Sequence, residues 1–314
     1  MMRVKSLGHS GLKVSVVGLG CNNFGMRIDQ AATDLVVARA VDLGITLFDT
    51  ADIYGNKGGS ETMLGKALGA RRKDIVLATK FAGPMGEGPL MAGASRRYIM
   101  QAVEASLKRL GTDYIDLYQV HFPDAETPID ETLSALDTLV RDGKVRYIGC
   151  SNFAGWQVAE SWYIARDLGT AKFVSAQNHY NLLDRKIEQE LIPAAKAYGA
   201  SVLPYFPLAS GMLTGKYKRG ADLPTDGRLT VWGERGKAML SDKNFDLIEK
   251  LSSFAEARGH SLLDLAFGWL ASQPQVASVI AGATKPEQVE MNVAAGAWEL
   301  SAEELAEVAT LSFR

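Results

Sequence analysis

Four side chains that could move or position a proton follow three neighbouring apolar, β-rich segments of the chain. Asp49 lies near the end of one segment with Tyr54 five residues further on, and Lys80 and His121 lie near the ends of the next two. A phenol titrates at about 10, and an adjacent ammonium group stabilises the phenolate, so Lys80 is expected to lower the pKa of Tyr54. A Lys that a neighbouring carboxylate keeps protonated would supply this positive charge, and His121 could hydrogen-bond a substrate carbonyl. The set predicts proton transfer at a carbonyl group.

Each of the four residues also has a purely structural interpretation. Lys80 and Asp49 could form an ion pair that only stabilises the fold, and His121 could be an interior histidine with satisfied hydrogen bonds. Tyr54 alone is more typical of an amphipathic packing residue. Buried Lys and Asp are rare unless they are paired, and four such side chains at matching segment ends favour a functional site.

Apolar, β-rich segments alternate with helical patterns along the chain, and eight of them are strand candidates: residues 15–20, 45–51, 74–81, 113–122, 144–151, 173–180, 201–207 and 277–283. Periodicity and capping residues predict helices between them, for example over 31–44, 95–111 and 130–143. Strands that alternate with helices form parallel β-α-β units. Eight such units in about 270 residues are typical of a (β/α)8 TIM barrel, an α/β fold. We expect residues 1–314 to form one such domain.

A doubly wound open sheet is the main alternative to the barrel. Its dinucleotide-binding form requires G-x-G-x-x-G after the first strand. The chain instead reads GLGCNNFG over residues 18–25, where the third glycine falls two positions late. The dinucleotide fingerprint is absent, which favours the barrel.

Two segments lie outside the eight units. Residues 3–14, RVKSLGHSGLKV, place apolar residues around Gly8 and Gly11 and predict a β-hairpin that could plug the bottom of the barrel. Residues 208–243 form a long, polar, Gly-rich connection after the seventh strand, and connections of this length are usually functional lids or disordered. Trp232 within this connection favours a lid or cofactor loop that packs on the rest of the fold.

The composition is that of an ordinary globular protein. Of 314 residues 47 % are hydrophobic, and 34 Lys+Arg against 36 Asp+Glu give a net charge of −2, so neither disorder nor a nucleic-acid partner is expected. Cys21 and Cys150 can form neither a disulfide framework nor a thiolate metal site. The first ten residues lack a secretory signal, and the longest apolar run, 262–271, is too short for a membrane span. We expect a cytoplasmic, metal-free protein with no membrane association, and nothing in the sequence indicates its oligomeric state.

Seven motifs in the chain together resemble the aldo-keto reductase superfamily: FDTADIYG (48–55), ATKF (78–81), QVHFPD (119–124), GKVRYIGCSNF (143–153), QNHYN (177–181), YFPLASGMLTGKY (205–217) and VIAGATKPEQVEMN (279–292). They occur in the family's order and spacing over nearly the whole chain. The resemblance implies a (β/α)8 barrel that binds NADPH without a dinucleotide-binding sheet and reduces small aldehydes or ketones to alcohols.

The resemblance assigns roles to the four residues considered first. Asp49, Tyr54, Lys80 and His121 match the family's catalytic tetrad. Tyr54 would be the general acid that protonates the carbonyl oxygen as hydride arrives, and Lys80, paired with Asp49, would tune its acidity. His121 would orient and polarise the carbonyl.

The resemblance also assigns a cofactor site. Ser151, Asn152 and Gln177 match the residues that hold the nicotinamide carboxamide, and Tyr205 matches the aromatic residue that stacks on the ring. The remaining cofactor residues follow the seventh and eighth strands: Pro207, Leu208, Gly211, Leu213, Lys216 and Arg228 near the pyrophosphate, and Gly282, Thr284, Lys285, Gln288 and Asn292 towards the adenosine.

Lys285 bears on the choice between NADPH and NADH. It stands where family members that prefer NADPH often carry Arg or Lys, at the start of a helix whose N-terminus offers positive potential to a phosphate. Because a Lys lacks the bidentate fork of Arg, NADH is expected to be used less well than NADPH. Thr284, Gln288 and Asn292 recur at four-residue steps and therefore share one face of that helix.

Four apolar side chains next to catalytic positions are expected to line the substrate pocket: Phe24, Ile53, Phe81 and Phe122. Each of them could equally be a packing residue. The loop over residues 83–95 would shape the rest of the pocket. No single substrate is indicated.

Two other functions are compatible with these residues. Lys80 could form a Schiff base in an aldolase-like lyase, with Asp49 and Tyr54 as proton shuttles, but the cofactor motifs would then be unexplained. The motifs also resemble the branch of the family that contains potassium-channel β subunits. The barrel would then be a redox-sensing module that binds NADPH.

Overall fold

The computed structural model describes residues 2–223 and 228–312. An N-terminal hairpin is formed by β1 (Val4–Ser6) and β2 (Lys13–Ser15). Eight further strands follow in chain order: β3 (Val17–Gly20), β4 (Leu47–Asp49), β5 (Val76–Phe81), β6 (Ile115–Val120), β7 (Val145–Ser151), β8 (Phe173–His179), β9 (Ser201–Tyr205) and β10 (Val279–Gly282). These eight strands correspond to the eight strand candidates of the sequence.

The eight strands form a closed parallel barrel. They are hydrogen-bonded in the order β10-β3-β4-β5-β6-β7-β8-β9. The first and last strands of this order meet where Val202 of β9 pairs with Val276, just before β10. The Val202 amide donates to the Gln275 carbonyl at 2.8 Å, and the Ala277 amide donates to the Val202 carbonyl at 3.1 Å. The predicted (β/α)8 TIM barrel is confirmed.

Helices cover the outside of the barrel: α1 (Gln30–Asp42), α2 (Tyr54–Leu68), α3 (Arg96–Leu110), α4 (Ile129–Arg141), α5 (Gly155–Leu168), α6 (Leu191–Tyr198), α7 (Arg228–Val231), α8 (Glu234–Met239), α9 (Asp242–Glu256), α10 (Leu262–Ser272), α11 (Pro286–Ala295) and α12 (Ala302–Ser312). Both ends of α3 lie at the capping residues that its sequence indicates. The Ser95 side chain caps the first turn, and Gly111, in the left-handed conformation, ends the helix. Asp130 lies in the first turn of α4, where its charge stabilises the helix dipole. None of the helices within the described residues has the length and apolar character needed to cross a membrane.

The predicted hairpin is present and closes the amino-terminal end of the barrel. Leu7 and Val14 are fully buried and pack on the apolar layer at the bottom of the barrel interior. The Gly8 amide donates to Ser201 Oγ at 2.8 Å. Gly8 has a φ of +56°, and a side chain at this position would collide with the Val174 carbonyl oxygen. Only glycine fits this close approach without strain.

The connection after β9 contains short helical turns. Residues Ala209–Thr214 form a 3-10 turn, and α7 and α8 follow it. Trp232 is partly buried, and its ring lies edge-to-face with that of Phe206 at a centroid distance of 6.3 Å. The connection therefore packs on the residue that follows β9. Residues 224–227 and the side chain of Arg228 lie outside what the structure describes.

Candidate active site

A buried ion pair joins the carboxyl ends of β4 and β5. Lys80 Nζ donates to Asp49 Oδ2 at 2.6 Å and to the Thr50 carbonyl at 2.9 Å, and the Lys80 side chain is 0 % exposed. Burial alone would lower the pKa of Lys80, but Asp49 and Tyr54 together outweigh it and the pKa is raised. Lys80 is therefore a fixed cation beneath the open end of the barrel.

Tyr54 follows β4 and places its ring over this cation. The Lys80 ammonium lies 5.1 Å from the centre of the Tyr54 ring. Burial raises the pKa of Tyr54, and the opposing effect of Lys80 does not compensate for it. The sequence-based expectation of a lowered pKa was wrong because it included the ammonium and not the cost of charging a buried phenol. Tyr54 is protonated at neutral pH, as a proton donor must be.

His121 follows β6 and faces the same space. Its ring meets that of Tyr54 edge-to-face at 5.6 Å and stacks on Phe122 at 4.3 Å. Burial, with Lys80 second, lowers the pKa of His121 to about 2, so the imidazole is neutral at physiological pH. Its Nδ1 atom is shielded and has no hydrogen-bond partner within the described residues.

Polar side chains at the ends of β7, β8 and β9 form a hydrogen-bonded wall opposite Tyr54. The Tyr205 hydroxyl donates to Asn152 Oδ1 at 2.8 Å, and Ser151 Oγ donates to the Gln177 carbonyl at 2.8 Å. Gln177 Nε2 donates to Asp49 Oδ1 at 2.8 Å. The wall is thereby connected to the buried ion pair.

A cleft of about 690 Å³ runs from these residues to α11. It is lined by most of the residues that the sequence assigns to catalysis, cofactor or substrate: Asp49, Tyr54, His121, Phe122, Ser151, Asn152, Gln177, Tyr205, Pro207, Leu208, Gly211, Lys216, Gly282, Thr284, Lys285, Gln288 and Asn292. At its far end the Thr284 amide and hydroxyl donate to Gln288 Oε1 at 2.7 and 3.1 Å. The cleft therefore brings together residues that lie up to about 240 positions apart in the sequence, as parallel strand ends in a barrel do.

Among the predicted site residues whose side chains the structure describes, five do not line the cleft, and one of these is Lys80, which is buried beneath it. Phe24 and Leu213 are fully buried in the core, because their loops turn these side chains inwards. Phe81 lies on the outer face of β5, next to inward-facing Lys80 in the strand alternation, and its ring packs on Tyr118 at 4.7 Å. Ile53 packs against Gly83. Phe24, Ile53 and Phe81, which were expected to line the substrate pocket, therefore lie outside the lining of this cleft.

Sequence reasoning missed several residues of the site. Gln119 Nε2 donates to Asp49 Oδ1 at 3.2 Å, and its place two residues before His121 on β6 could have indicated it. Arg27, on the loop after β3, and Phe206, directly after Tyr205, both line the cleft. Phe206 has a φ of +52°, and such strain in a non-glycine residue often marks a functional site.

The structure thus places a Tyr, a Lys, an Asp and a His together at the carboxyl ends of parallel barrel strands. The family model of the Aldo/keto reductase family matches residues 16–312. The chain belongs to this family, and it is an oxidoreductase by that membership.

Relatives along the whole chain include both reductases and proteins named as channel subunits. A "Probable voltage-gated potassium channel subunit beta" of Oryza sativa subsp. japonica is 39% identical over 302 residues, covering 94% of this chain and 91% of the relative. An "L-glyceraldehyde 3-phosphate reductase" of Escherichia coli (strain K12) is 34% identical over 305 residues, covering 94% and 87%. A "Versiconal hemiacetal acetate reductase" of Aspergillus parasiticus is 35% identical over 332 residues, covering 97% and 95%.

Proposed function

We propose that the protein is an NADPH-dependent reductase that converts aldehydes or ketones to alcohols, with Tyr54 as the general acid. The observation that carries this proposal is the placement of a protonated phenol beside the buried Asp49–Lys80 pair, at the base of a cleft also lined by neutral His121. A phenol is a weak acid, so it requires a nearby cation to stabilise the phenolate left behind. Lys80 supplies that charge, and Asp49 keeps it protonated.

His121 would hold the substrate carbonyl against Tyr54. A neutral imidazole carries one N–H, and a buried N–H without an acceptor is rare. Since Nδ1 is shielded and unpartnered, we assign the proton to Nε2, which can donate to a carbonyl oxygen in the cleft. The same oxygen would then accept a hydrogen bond from the Tyr54 hydroxyl, and Tyr54 would give up that proton during reduction.

The cleft beyond Tyr205 fits a dinucleotide phosphate. Lys216, Lys285 and Arg27 line it, and none of them has a carboxylate partner in the part of the chain that the structure describes. Gly211 lies directly against the Lys216 side chain, and a Cβ there would stand 2.7 Å from Lys216 Cε. These unpaired cations suit the phosphates of NADPH, which would supply the hydride when bound. Lys285 would favour NADPH, leaving NADH as the poorer cofactor.

A panel of aldehydes, ketones and sugars, with NADPH consumption as the readout, tests this proposal. Wild-type protein should oxidise NADPH only when a suitable carbonyl is present. Tyr54→Phe keeps the ring and removes the acidic proton, so it should lose at least about a hundredfold in kcat while still quenching its intrinsic fluorescence on binding NADPH. Turnover retained by Tyr54→Phe would exclude Tyr54 as the acid.

We also propose a reducing, cytoplasmic setting, supported by the two free and buried cysteines, Cys21 and Cys150.

A redox-sensing subunit is the second candidate, and the relatives named as potassium channel β subunits favour it. A sensor would oxidise its bound NADPH once and release the product slowly, whereas a reductase would turn over repeatedly. Single-turnover and steady-state rates with the same carbonyl distinguish the sensor from the reductase.

The aldolase alternative requires a neutral amine, which the raised pKa of Lys80 disfavours. Trapping of a Lys80 adduct by borohydride would support it.

A further inference from the structure

The ring of Tyr205 is supported from outside the cleft. His179 lies opposite Tyr205 in the pairing of β8 with β9, and the two rings are nearly parallel, at 10° and a centroid distance of 5.6 Å. Tyr205 lines the cleft and His179 does not. The Tyr205 hydroxyl is held at the same time by Asn152 Oδ1, at 2.8 Å. Tyr205 is thus fixed both at its hydroxyl and by a second ring stacked on its own.

The residue after Tyr205 has a backbone conformation that its type disfavours. Phe206 has a φ of +52°, in the left-handed region that is costly for a non-glycine residue. It also precedes Pro207, and a residue before proline prefers an extended backbone. Such a conformation persists only where the surrounding structure fixes it. Because Phe206 follows Tyr205 directly, the contacts that fix Phe206 also determine where the Tyr205 ring lies.

One buried side chain contacts both His179 and Phe206. Asn181 is 1 % exposed, and its Nδ2 donates to the Phe206 carbonyl at 3.0 Å and to His179 Nε2 at 3.1 Å. Its Oδ1 accepts hydrogen bonds from the amides of Leu183 and Asp184, both at 2.9 Å. Both donors and both acceptor positions of the side-chain amide are therefore used. The two backbone donors on Oδ1 also determine which atom of this amide is the oxygen.

The contact with Asn181 also sets the orientation of the His179 ring. Asn181 Nδ2 can only donate, so His179 Nε2 is the acceptor and the proton of the neutral imidazole belongs on Nδ1. This Nδ1 atom faces Asp184 Oδ2 at 3.4 Å. Both ring nitrogens thus have a neighbour that they would lose if the ring turned, and the ring is kept parallel to that of Tyr205.

Asn181 also has a purely structural role in the turn that follows β8. Asn181 and Asp184 exchange two backbone hydrogen bonds, both at 3.1 Å, and Asn181 Oδ1 closes the same turn. The two ends of the side-chain amide therefore serve different segments: the oxygen serves the turn, and the nitrogen serves the residues around Tyr205. A substitution that keeps the oxygen and removes the donor separates the two roles.

We propose that Asn181 is a positioning residue for the nicotinamide: its Nδ2 atom fixes the His179 ring against Tyr205 and the left-handed turn at Phe206, so that the Tyr205 ring is in place before the cofactor binds. Asn181 and His179 touch neither cofactor nor substrate in this proposal, which rests on the proposed function, where Tyr205 stacks on the nicotinamide. A ring that is held in advance need not be ordered on binding, which favours affinity. Because NADPH and NADH share the nicotinamide, loss of this support weakens the binding of both cofactors equally.

Titration calorimetry with NADPH, NADH and phospho-ADP-ribose, which is NADPH without its nicotinamide, tests the positioning role without any turnover. Asn181→Asp keeps the acceptor oxygen and removes the donor, so it should raise the Kd for NADPH and for NADH about tenfold. The Kd for phospho-ADP-ribose should stay unchanged, because this ligand does not reach Tyr205. His179→Ala removes the stacked ring and should raise the Kd for both cofactors about fivefold, whereas His179→Phe keeps a flat ring and should stay within about twofold of wild type.

The two His179 variants decide the matter if Asn181→Asp does not fold, because His179 is half-buried and its replacement leaves the bond between Asn181 and Phe206 intact. Unchanged NADPH affinity in His179→Ala would overturn the positioning role and leave the proposed function standing. Equal weakening in His179→Ala and His179→Phe, or equal weakening of NADPH and phospho-ADP-ribose, would overturn it as well. A wild-type protein that binds no NADPH would overturn both proposals.

Discussion

Gln177 Nε2 lies 2.8 Å from Asp49 Oδ1, while Lys80 takes the other oxygen of the same carboxylate. The residue expected to hold the nicotinamide carboxamide is therefore also a hydrogen-bond donor to the ion pair beneath Tyr54. Gln119 adds a longer contact of 3.2 Å to the same oxygen. In the proposed mechanism, cofactor binding and acid catalysis would therefore share one buried carboxylate.

Replacing Gln177 should affect both functions at once. Gln177→Met leaves the buried Asp49 carboxylate short of a donor, and we expect a stability loss of about 1.5–3 kcal/mol, together with weaker NADPH binding and lower kcat. Denaturant unfolding and fluorescence titration measure the two effects. Gln119→Met is the matched control, because Gln119 contacts Asp49 without lining the cleft: stability should fall less and NADPH affinity should not change. Equal NADPH affinity in Gln177→Met and wild type would contradict the shared role.

Replacing Lys80 alone should destabilise the protein far more than replacing both Lys80 and Asp49. Lys80→Met leaves Asp49 buried and unpaired, with an expected loss of about 3–5 kcal/mol in the free energy of unfolding. The double variant Asp49→Asn with Lys80→Met removes both charges and should recover most of that stability. It should not recover turnover, since Tyr54 would still lack its cation. Denaturant unfolding and NADPH oxidation, measured on the same preparations, check both statements.

His121 should stay neutral through the physiological range. Because its folded pKa is about 2, kcat/KM should show no decline near about pH 6.5, where a free histidine titrates. The unfolded chain binds the proton first, so wild-type stability should fall relative to His121→Gln as pH drops below about 6.5, by about 2 kcal/mol at about pH 5. Unfolding of both proteins across this range measures the difference. An acidic decline in kcat/KM that disappears in His121→Gln would show that the ring is protonated.

Lys285→Ala should weaken the binding of NADPH and leave the binding of NADH little changed. Lys285 lines the far end of the cleft at the N-terminus of α11, where a charge would meet the extra phosphate of NADPH. We expect the KM for NADPH to rise about tenfold, which corresponds to about 1.4 kcal/mol, with little change for NADH. Lys243→Ala, at an exposed position of α9, is the control and should change neither constant. Equal effects on the two cofactors would remove Lys285 from this role.

Local pattern was sufficient to predict the strands and to bring the candidate catalytic side chains to one end of the barrel. Each strand is a short apolar run, and the ends of parallel strands must meet at one mouth of a barrel, so Asp49, Lys80 and His121 could be brought together without coordinates. Tyr54 could be added to this group because it lies just beyond β4. The prediction of the cofactor residues rested on the family resemblance, and most of these residues line the cleft.

Burial and side-chain direction could not be predicted in the same way. The pKa of Tyr54 depends on how completely distant segments exclude water from it, which no local pattern records. Phe81 was assigned to the pocket by its position beside Lys80, yet adjacent strand residues face opposite sides. The buried amide of Asn181 reaches the carbonyl of Phe206, 25 residues further along the chain, and no local pattern indicates that contact.

The hairpin plug depends on contacts between segments that are far apart in the sequence. The Gly8 amide donates to Ser201 Oγ and the His9 amide to the Gly199 carbonyl, so the hairpin has native partners beside the seventh barrel strand, far away in the sequence. Contacts so distant in sequence form slowly, because the loop must be closed before they contribute. The apolar face of the hairpin around Leu7 therefore stays without its native cover until these distant segments of the barrel have come together.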